Sequence, residues 1–333
     1  MLQKTIQFLK YVLPFALGVY LIWFIFNSLT PKETETVFRA MKKANYFWIF
    51  IFLILAFLSH VSRSLRWMNL LETVGKKPRF LNSFFCVFIA YFMNMILPRA
   101  GEAARCAYLA KYEGVSFEKS LGTVVAERIV DVLFLFIIIL ITLYLQLDLV
   151  KVYFLDWKQL ISKRIEGINS IYFIAIFLLL MFVLFVVYKM VKSTGFFAKI
   201  SSFFKGFSVG LKSVFATKKK WNFLFHSVFI WLMYLGMIWV SFFAFEETSS
   251  LPIEACLTTF VLATLAIIIT PGGIGAYPLA VMQALLLYGI SKESGLAAGW
   301  VIWIAQTAMI VLLGGMSLFL MPIYNRKISS VES

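Results

Sequence analysis

The sequence predicts an all-α, polytopic membrane protein of about six full spans plus two re-entrant helical hairpins, arranged as an inverted repeat in one integral membrane domain, residues 1–333. Three observations predict it. Hydrophobic residues make up 62% of the chain and charged residues only 14%, where soluble domains carry about 25% charged. Apolar runs near or above the ~20 residues that a span needs recur along the chain. Two shorter runs stop instead at Pro98 and Pro271, each followed by glycine and a further short helical piece.

Taken in order, Lys4 and Lys10 precede an apolar run from Tyr11 to Leu29. It is too long for a signal-peptide core and lacks an Ala-x-Ala-like cleavage site, so it reads as a retained first span. Tyr46 to Arg66 is the second. Asn82 to Leu97 stops at Pro98; at ~1.5 Å per residue it reaches ~24 Å, short of a ~30 Å hydrocarbon core, and is expected to turn back inside the membrane. Lys119 to Leu145, Ile171 to Lys192, Trp221 to Phe245 and Ser294 to Pro322 read as further spans, and Ala255 to Thr270 opens the second re-entrant hairpin. Between Lys189 and Lys220 there are eight lysines and no acid. Within that run Phe196, Phe197, Ile200, Phe203, Phe204, Phe207, Leu211, Val214 and Phe215 recur near the helical period. They predict a helix lying in the interface against anionic headgroups, or a plain connector held there.

The halves, about 1–145 and about 171–322, carry the same elements in the same order. Leu97-Pro98-Arg99-Ala100-Gly101 answers Thr270-Pro271-Gly272-Gly273-Ile274-Gly275, and Gly114-Val115-Ser116 answers Gly289-Ile290-Ser291. Unrelated hairpins with common Pro-Gly turns would give the short matches; the shared order favours a repeat. An odd number of crossings per half would invert the second half. Lys76, Lys77, Arg79, the Lys189–Lys220 run, Arg326 and Lys327 then fall on one side, and Glu246, Glu247 and Glu254 on the other. That asymmetry puts both termini in the cytoplasm, with Lys42 and Lys43 against it.

The net charge of +15 would suggest nucleic acid in a soluble chain; in loops between apolar spans it orients the protein and attracts anionic lipid. No nucleic acid partner is expected. Cys86, Cys106, Cys256, His60 and His226 have no ligand spacing, so neither a metal nor a cofactor is expected.

Arg99, Glu102 and Arg105 surround the first elbow, and Glu127, Arg128 and Asp131 lie inside the following span. An ionisable group at the centre of a membrane helix costs roughly 2.5–3.5 kcal/mol on insertion scales, so such groups pair or face a watery cavity and mark function by default. Glu102 is within helical reach of Arg99 and Arg105. Glu127 and Asp131 share a helix face and repel unless a cation or proton intervenes. Gly101 lies in the first elbow, and Gly272, Gly273 and Gly275 would let the second elbow's backbone N–H groups approach an anion at a helix start. His60, Arg63 and Arg66 read as interface anchors rather than ligands. Two readings of the charges stay open: a self-neutralising structural network, or a site where an anionic headgroup displaces a carboxylate from an arginine, with carboxylate protonation as a coupling step.

The stretch LPRAGEAARCAYLAKYEGVSFEKSLGTVVAERIVDVLF resembles the signature region of the lysylphosphatidylglycerol synthase transmembrane-region family of flippase-like membrane proteins. The signature falls on Pro98, Gly101, Glu102, Arg105, Glu127, Arg128 and Asp131, and the later Pro271-Gly272-Gly273-Ile274-Gly275 resembles the family's second glycine element. Tyr277-Pro278 departs from it, since members often carry an acid there. The resemblance implies a multi-pass plasma-membrane protein that moves an anionic phospholipid or lipid-linked glycan across the cytoplasmic membrane. Arg99, Gly101, Glu102, Arg105, Glu127, Arg128, Asp131, Gly272, Gly273 and Gly275 are then the expected substrate-binding residues, with no catalytic residue. Expected partners are anionic membrane lipids and a separate lipid-modifying synthase, because the soluble aminoacyltransferase domain of full-length synthases is absent from this sequence. The competing classes are an integral-membrane transferase acting on a lipid-phosphate-linked sugar and a non-transporting membrane scaffold.

Overall fold

Helix α1 (Leu2–Asn27) is followed by α2 (Pro31–Lys43) after a bend of 110°. The computed structural model describes residues 2–97, 99–147, 217 and 219–329, and these contain no β-strand. The break before α2 is built from side chains. Thr30 Oγ1 accepts the Glu33 N–H, the Glu33 carboxylate accepts the Thr30 N–H, and Pro31 takes the first helical position, where no backbone donor is missed.

Asn45 caps α3 (Tyr46–Thr73) by accepting the Phe47 N–H. The first hairpin follows as α4 (Phe80–Ile96) and α5 (Ala100–Glu113). Gly114 ends α5 at φ 64°, and Ser116 caps α6 (Phe117–Leu145). The second hairpin is α8 (Ile253–Ile269) and α9 (Ala276–Leu286), reached through α7 (Lys220–Phe242), and α10 (Lys292–Ser329) closes the chain. Gly289 sits at φ 80°, and Ser291 Oγ accepts the Ser294 N–H at the head of α10. Gly114-Val115-Ser116 and Gly289-Ile290-Ser291 therefore do the same work: a positive-φ stop, a buried aliphatic and a hydroxyl cap.

The elbows also correspond. Leu97 and Thr270 are both extended, at φ −135° and −120°, and the residues two places on, Arg99 and Gly272, both adopt the left-handed conformation at φ 65°, ψ 5° and φ 59°, ψ 15°. Helices α4 and α8 contain 17 residues each. The packing is reciprocal too: α4 lies on α10 and α8 lies on α6, while α3 and α7 pair along their lengths.

Glycines set the closest approaches. A Cβ at Gly101 would lie 2.0 Å from the Ala90 carbonyl oxygen, at Gly299 2.7 Å from Pro278 Cα, and at Gly314 2.5 Å from Phe92 Cβ. Outward-facing side chains are apolar: Phe50, Phe136 and Leu312 are exposed by 59%, 57% and 64%. Such a surface suits hydrocarbon rather than water.

Three described helices are by themselves long and apolar enough to cross a membrane, Tyr46–Thr73, Lys220–Phe242 and Lys292–Arg326, and a fourth is counted if the bent pair before Tyr46 forms one span. The expected six are not all seen. Ile171 to Lys192 and the amphipathic segment from Phe196 to Phe215 lie outside the described residues. Lys119 to Leu145 falls within α6, whose first half carries Glu127, Arg128 and Asp131. The final helix runs on through Pro322 rather than stopping there.

Candidate functional site

The charges of the first hairpin converge with two arginines of α3 on the middle of α6. Asp131 is held by both: Arg66 donates from Nη1 to Oδ1 at 2.8 Å and from Nη2 to Oδ2 at 3.2 Å, and Arg63 donates from Nη1 to Oδ2 at 3.0 Å. Arg66 also reaches Glu127 Oε1 from Nε at 3.4 Å and Ser227 Oγ on α7 at 3.2 Å. Glu127 takes its second arginine from α5, Arg105 Nη2 donating to Oε2 at 2.6 Å. Arg66 and Glu127 have no exposed surface.

Aromatic faces complete the surroundings. Arg105 lies over Trp67 at 4.5 Å and Arg66 over Phe223 at 5.6 Å. Arg63 donates to the Tyr234 hydroxyl at 3.0 Å, and that hydroxyl is 3.5 Å from the hydroxyl of Tyr91. The network ties α3, α5, α6 and α7 together.

A second tier is more open. Arg128 donates from Nη2 to Glu102 Oε1 at 2.7 Å, while its Nη1 is 3.9 Å from Asp131 Oδ2. Its side chain is 44% exposed. Asn94 positions Glu102: its Nδ2 donates to the carboxylate at 3.3 Å, and its Oδ1 accepts the Gly101 N–H at 2.8 Å. Arg99 is exposed and makes no ion pair or side-chain hydrogen bond among the described residues. It is also the one non-glycine residue among them at positive φ, a conformation costing about 1–2 kcal/mol for an L-residue with a side chain.

The sequence pairings need correcting in three places. Glu102 pairs with Arg128 from α6, not with Arg99 or Arg105, because α5 turns that carboxylate toward α6. Arg63 and Arg66 are buried partners of Asp131 rather than interface anchors, and His60 is buried beside them. The cluster is thus four arginines against three carboxylates, leaving one positive charge uncompensated, instead of an even three and three. A signal for Arg63 and Arg66 was present: they share a helix face with His60 in an otherwise apolar span. The cation required between Glu127 and Asp131 is Arg66.

The second elbow lies against the first hairpin, a Cβ at Gly272 falling 3.5 Å from Met95 Cγ near the end of α4. Trp303 donates to the Gly272 carbonyl at 2.8 Å. Gly275 accepts the passage of α1, where a Cβ would lie 2.5 Å from the Gly18 carbonyl oxygen, and Gly273 lies against Tyr277 and Ile267. The visible work of Gly273 and Gly275 is close packing. Pro98 lies outside the described residues. Among the described residues, His, Cys, Asp and Glu form no group able to hold a metal ion.

Comparison with known proteins gives two likenesses. A family model described as the lysylphosphatidylglycerol synthase TM region matches residues 11–314. A UPF0104 membrane protein of Methanocaldococcus jannaschii is 31% identical over 117 residues, 34% of this chain and 35% of that protein. The match thus spans about a third of that relative. No solved structure matches the chain.

Proposed function

This chain belongs to the lysylphosphatidylglycerol synthase TM region family, and on that premise we propose that it is a lipid flippase, moving an anionic phospholipid or lipid-linked glycan across the plasma membrane. The observation that carries this reading is the division of the charged cluster into a sealed tier and an open one. Arg66, Glu127 and Arg105 are buried and mutually paired, so they hold the helices. Arg128 and Arg99 are exposed, and they flank a cluster with net positive charge.

An arginine fork matches phosphate bidentately. A headgroup arriving at Arg128 would compete with Glu102 for the guanidinium, and Glu102 would remain held by Asn94. Arg99 supports the same reading through its backbone. Where the second elbow uses Gly272, the first places an arginine in the left-handed conformation, and strain kept at one position points to a use for that side chain. Gly101, Gly272, Gly273 and Gly275 let the two elbows and their neighbours close around this place, with acyl chains left in lipid beside it.

The proposed architecture is an inverted repeat, with hairpins entering from opposite faces and both termini cytoplasmic. Its support is the matching elbows, the equal lengths of α4 and α8, and the reciprocal packing on α10 and α6. A separate lipid-modifying synthase is the proposed source of the substrate. In liposomes, the purified chain is expected to accelerate transbilayer movement of a labelled anionic lipid above the protein-free rate; no acceleration would overturn the proposal.

A further inference from the structure

We propose that two polar latches, one at the open end of each hairpin, act as alternating gates of this protein. The first joins α4, α5 and the end of α10. Asn82 Nδ2 donates to Glu113 Oε1 at 2.5 Å, Arg79 Nε donates to the same oxygen at 2.9 Å, and Asn325 Nδ2 donates to Asn82 Oδ1 at 2.8 Å while its own Oδ1 accepts from Arg79 Nη2 at 3.0 Å. The second joins α8, the turn after α9 and the end of α6. Gln146 Nε2 donates to the Tyr288 hydroxyl, which is 2.9 Å from Thr258 Oγ1.

The two are built on one plan. Each ties the first helix of a hairpin and the end of its second helix to the last turn of the long helix from the other half of the chain. They lie at opposite ends of the molecule. Glu113 is just before the start of α6 and Gln146 just after its end, and the 29 residues of that helix span about 44 Å. Tyr288 and Asn325 bracket α10 in the same way. The charged cluster lies between the two ends, with Asp131 near the middle of α6.

Opening one end therefore requires parting three elements joined by a few hydrogen bonds, and because α6 and α10 each serve both ends, parting one end tightens the other. The first latch is charged and the second neutral, so they can be weakened separately. The gating role rests on the flippase reading, but the labelling below needs no lipid substrate. Absent lipid movement with reciprocal labelling would count against transport alone.

Native thiols report each end. Cys86 is fully buried one turn beyond Asn82, in the apolar cluster that includes Met321, and Cys256 is fully buried two residues from Thr258. The full chain would be placed in proteoliposomes in single-cysteine backgrounds and labelled with a membrane-impermeant maleimide from each side. Tyr288→Phe is expected to speed Cys256 labelling about fivefold, the effect of losing one ordinary hydrogen bond, and to slow Cys86. Asn325→Leu, with Glu113→Gln as a milder second variant, is expected to do the reverse. Unchanged rates, both thiols speeding together, or each responding alone would show that the contacts only hold the hairpins.

Discussion

Arg66 on α3 grips Asp131 on α6 with two parallel hydrogen bonds, Nη1 to Oδ1 at 2.8 Å and Nη2 to Oδ2 at 3.2 Å, at a place where the arginine has no exposed surface. An isolated charge there would be untenable, so each residue requires the other. Arg66→Leu should lower stability by about 3–5 kcal/mol through the unpaired carboxylate. The double variant Arg66→Leu, Asp131→Leu should lose less than the sum of the two singles, and thermal unfolding in detergent of all four proteins measures the coupling.

Arg128 should behave differently. Its pair with Glu102 is half exposed, and such pairs contribute about 0–1 kcal/mol. Arg128→Ala is therefore expected to fold with an unfolding temperature within a few degrees of the parent, measured by the same unfolding curve.

Arg99→Gly tests the strained elbow. Removing the side chain from a φ of 65° should stabilise the protein by about 1 kcal/mol. The loss of one charge-assisted contact, about 1.5 kcal/mol, should weaken apparent affinity for an anionic lipid roughly tenfold. Titrating lipid in the transport assay, beside thermal unfolding, reads both effects.

Gly101→Ala should be severe, since its Cβ would lie 2.0 Å from the Ala90 carbonyl oxygen, whereas a Cβ at Gly315 meets nothing within 4 Å. Gly315→Ala is expected to be neutral, or stabilising by up to ~1 kcal/mol as glycine leaves a helix interior. Comparing folded yield and unfolding temperature separates steric closeness from helix propensity.

Much of this arrangement is legible in the chain. Proline and glycine mark both elbows, and serines 116 and 291 mark the starts of the helices that follow them. Glu102, Arg105, Glu127, Arg128 and Asp131 stand out as charges in apolar sequence. The partners are less legible, because helical spacing describes only neighbours on one helix. Asp131 is paired with Arg66, 65 residues away, and Glu102 with Arg128, 26 residues away. Arg63 and Arg66 resemble snorkelling cations because they lie toward the end of their helix, and only the approach of α6 and α7 buries them.

The central claim is that the open arginine of a buried cluster recognises the negative head of a lipid. Its most direct measurement is transbilayer movement of labelled anionic and zwitterionic lipids in the same proteoliposomes, for the parent protein and for Arg128→Gln. The account predicts faster movement of the anionic lipid in the parent and loss of that preference in the folded variant. Equal movement of both lipids in the parent, or an unchanged preference in Arg128→Gln, would contradict it.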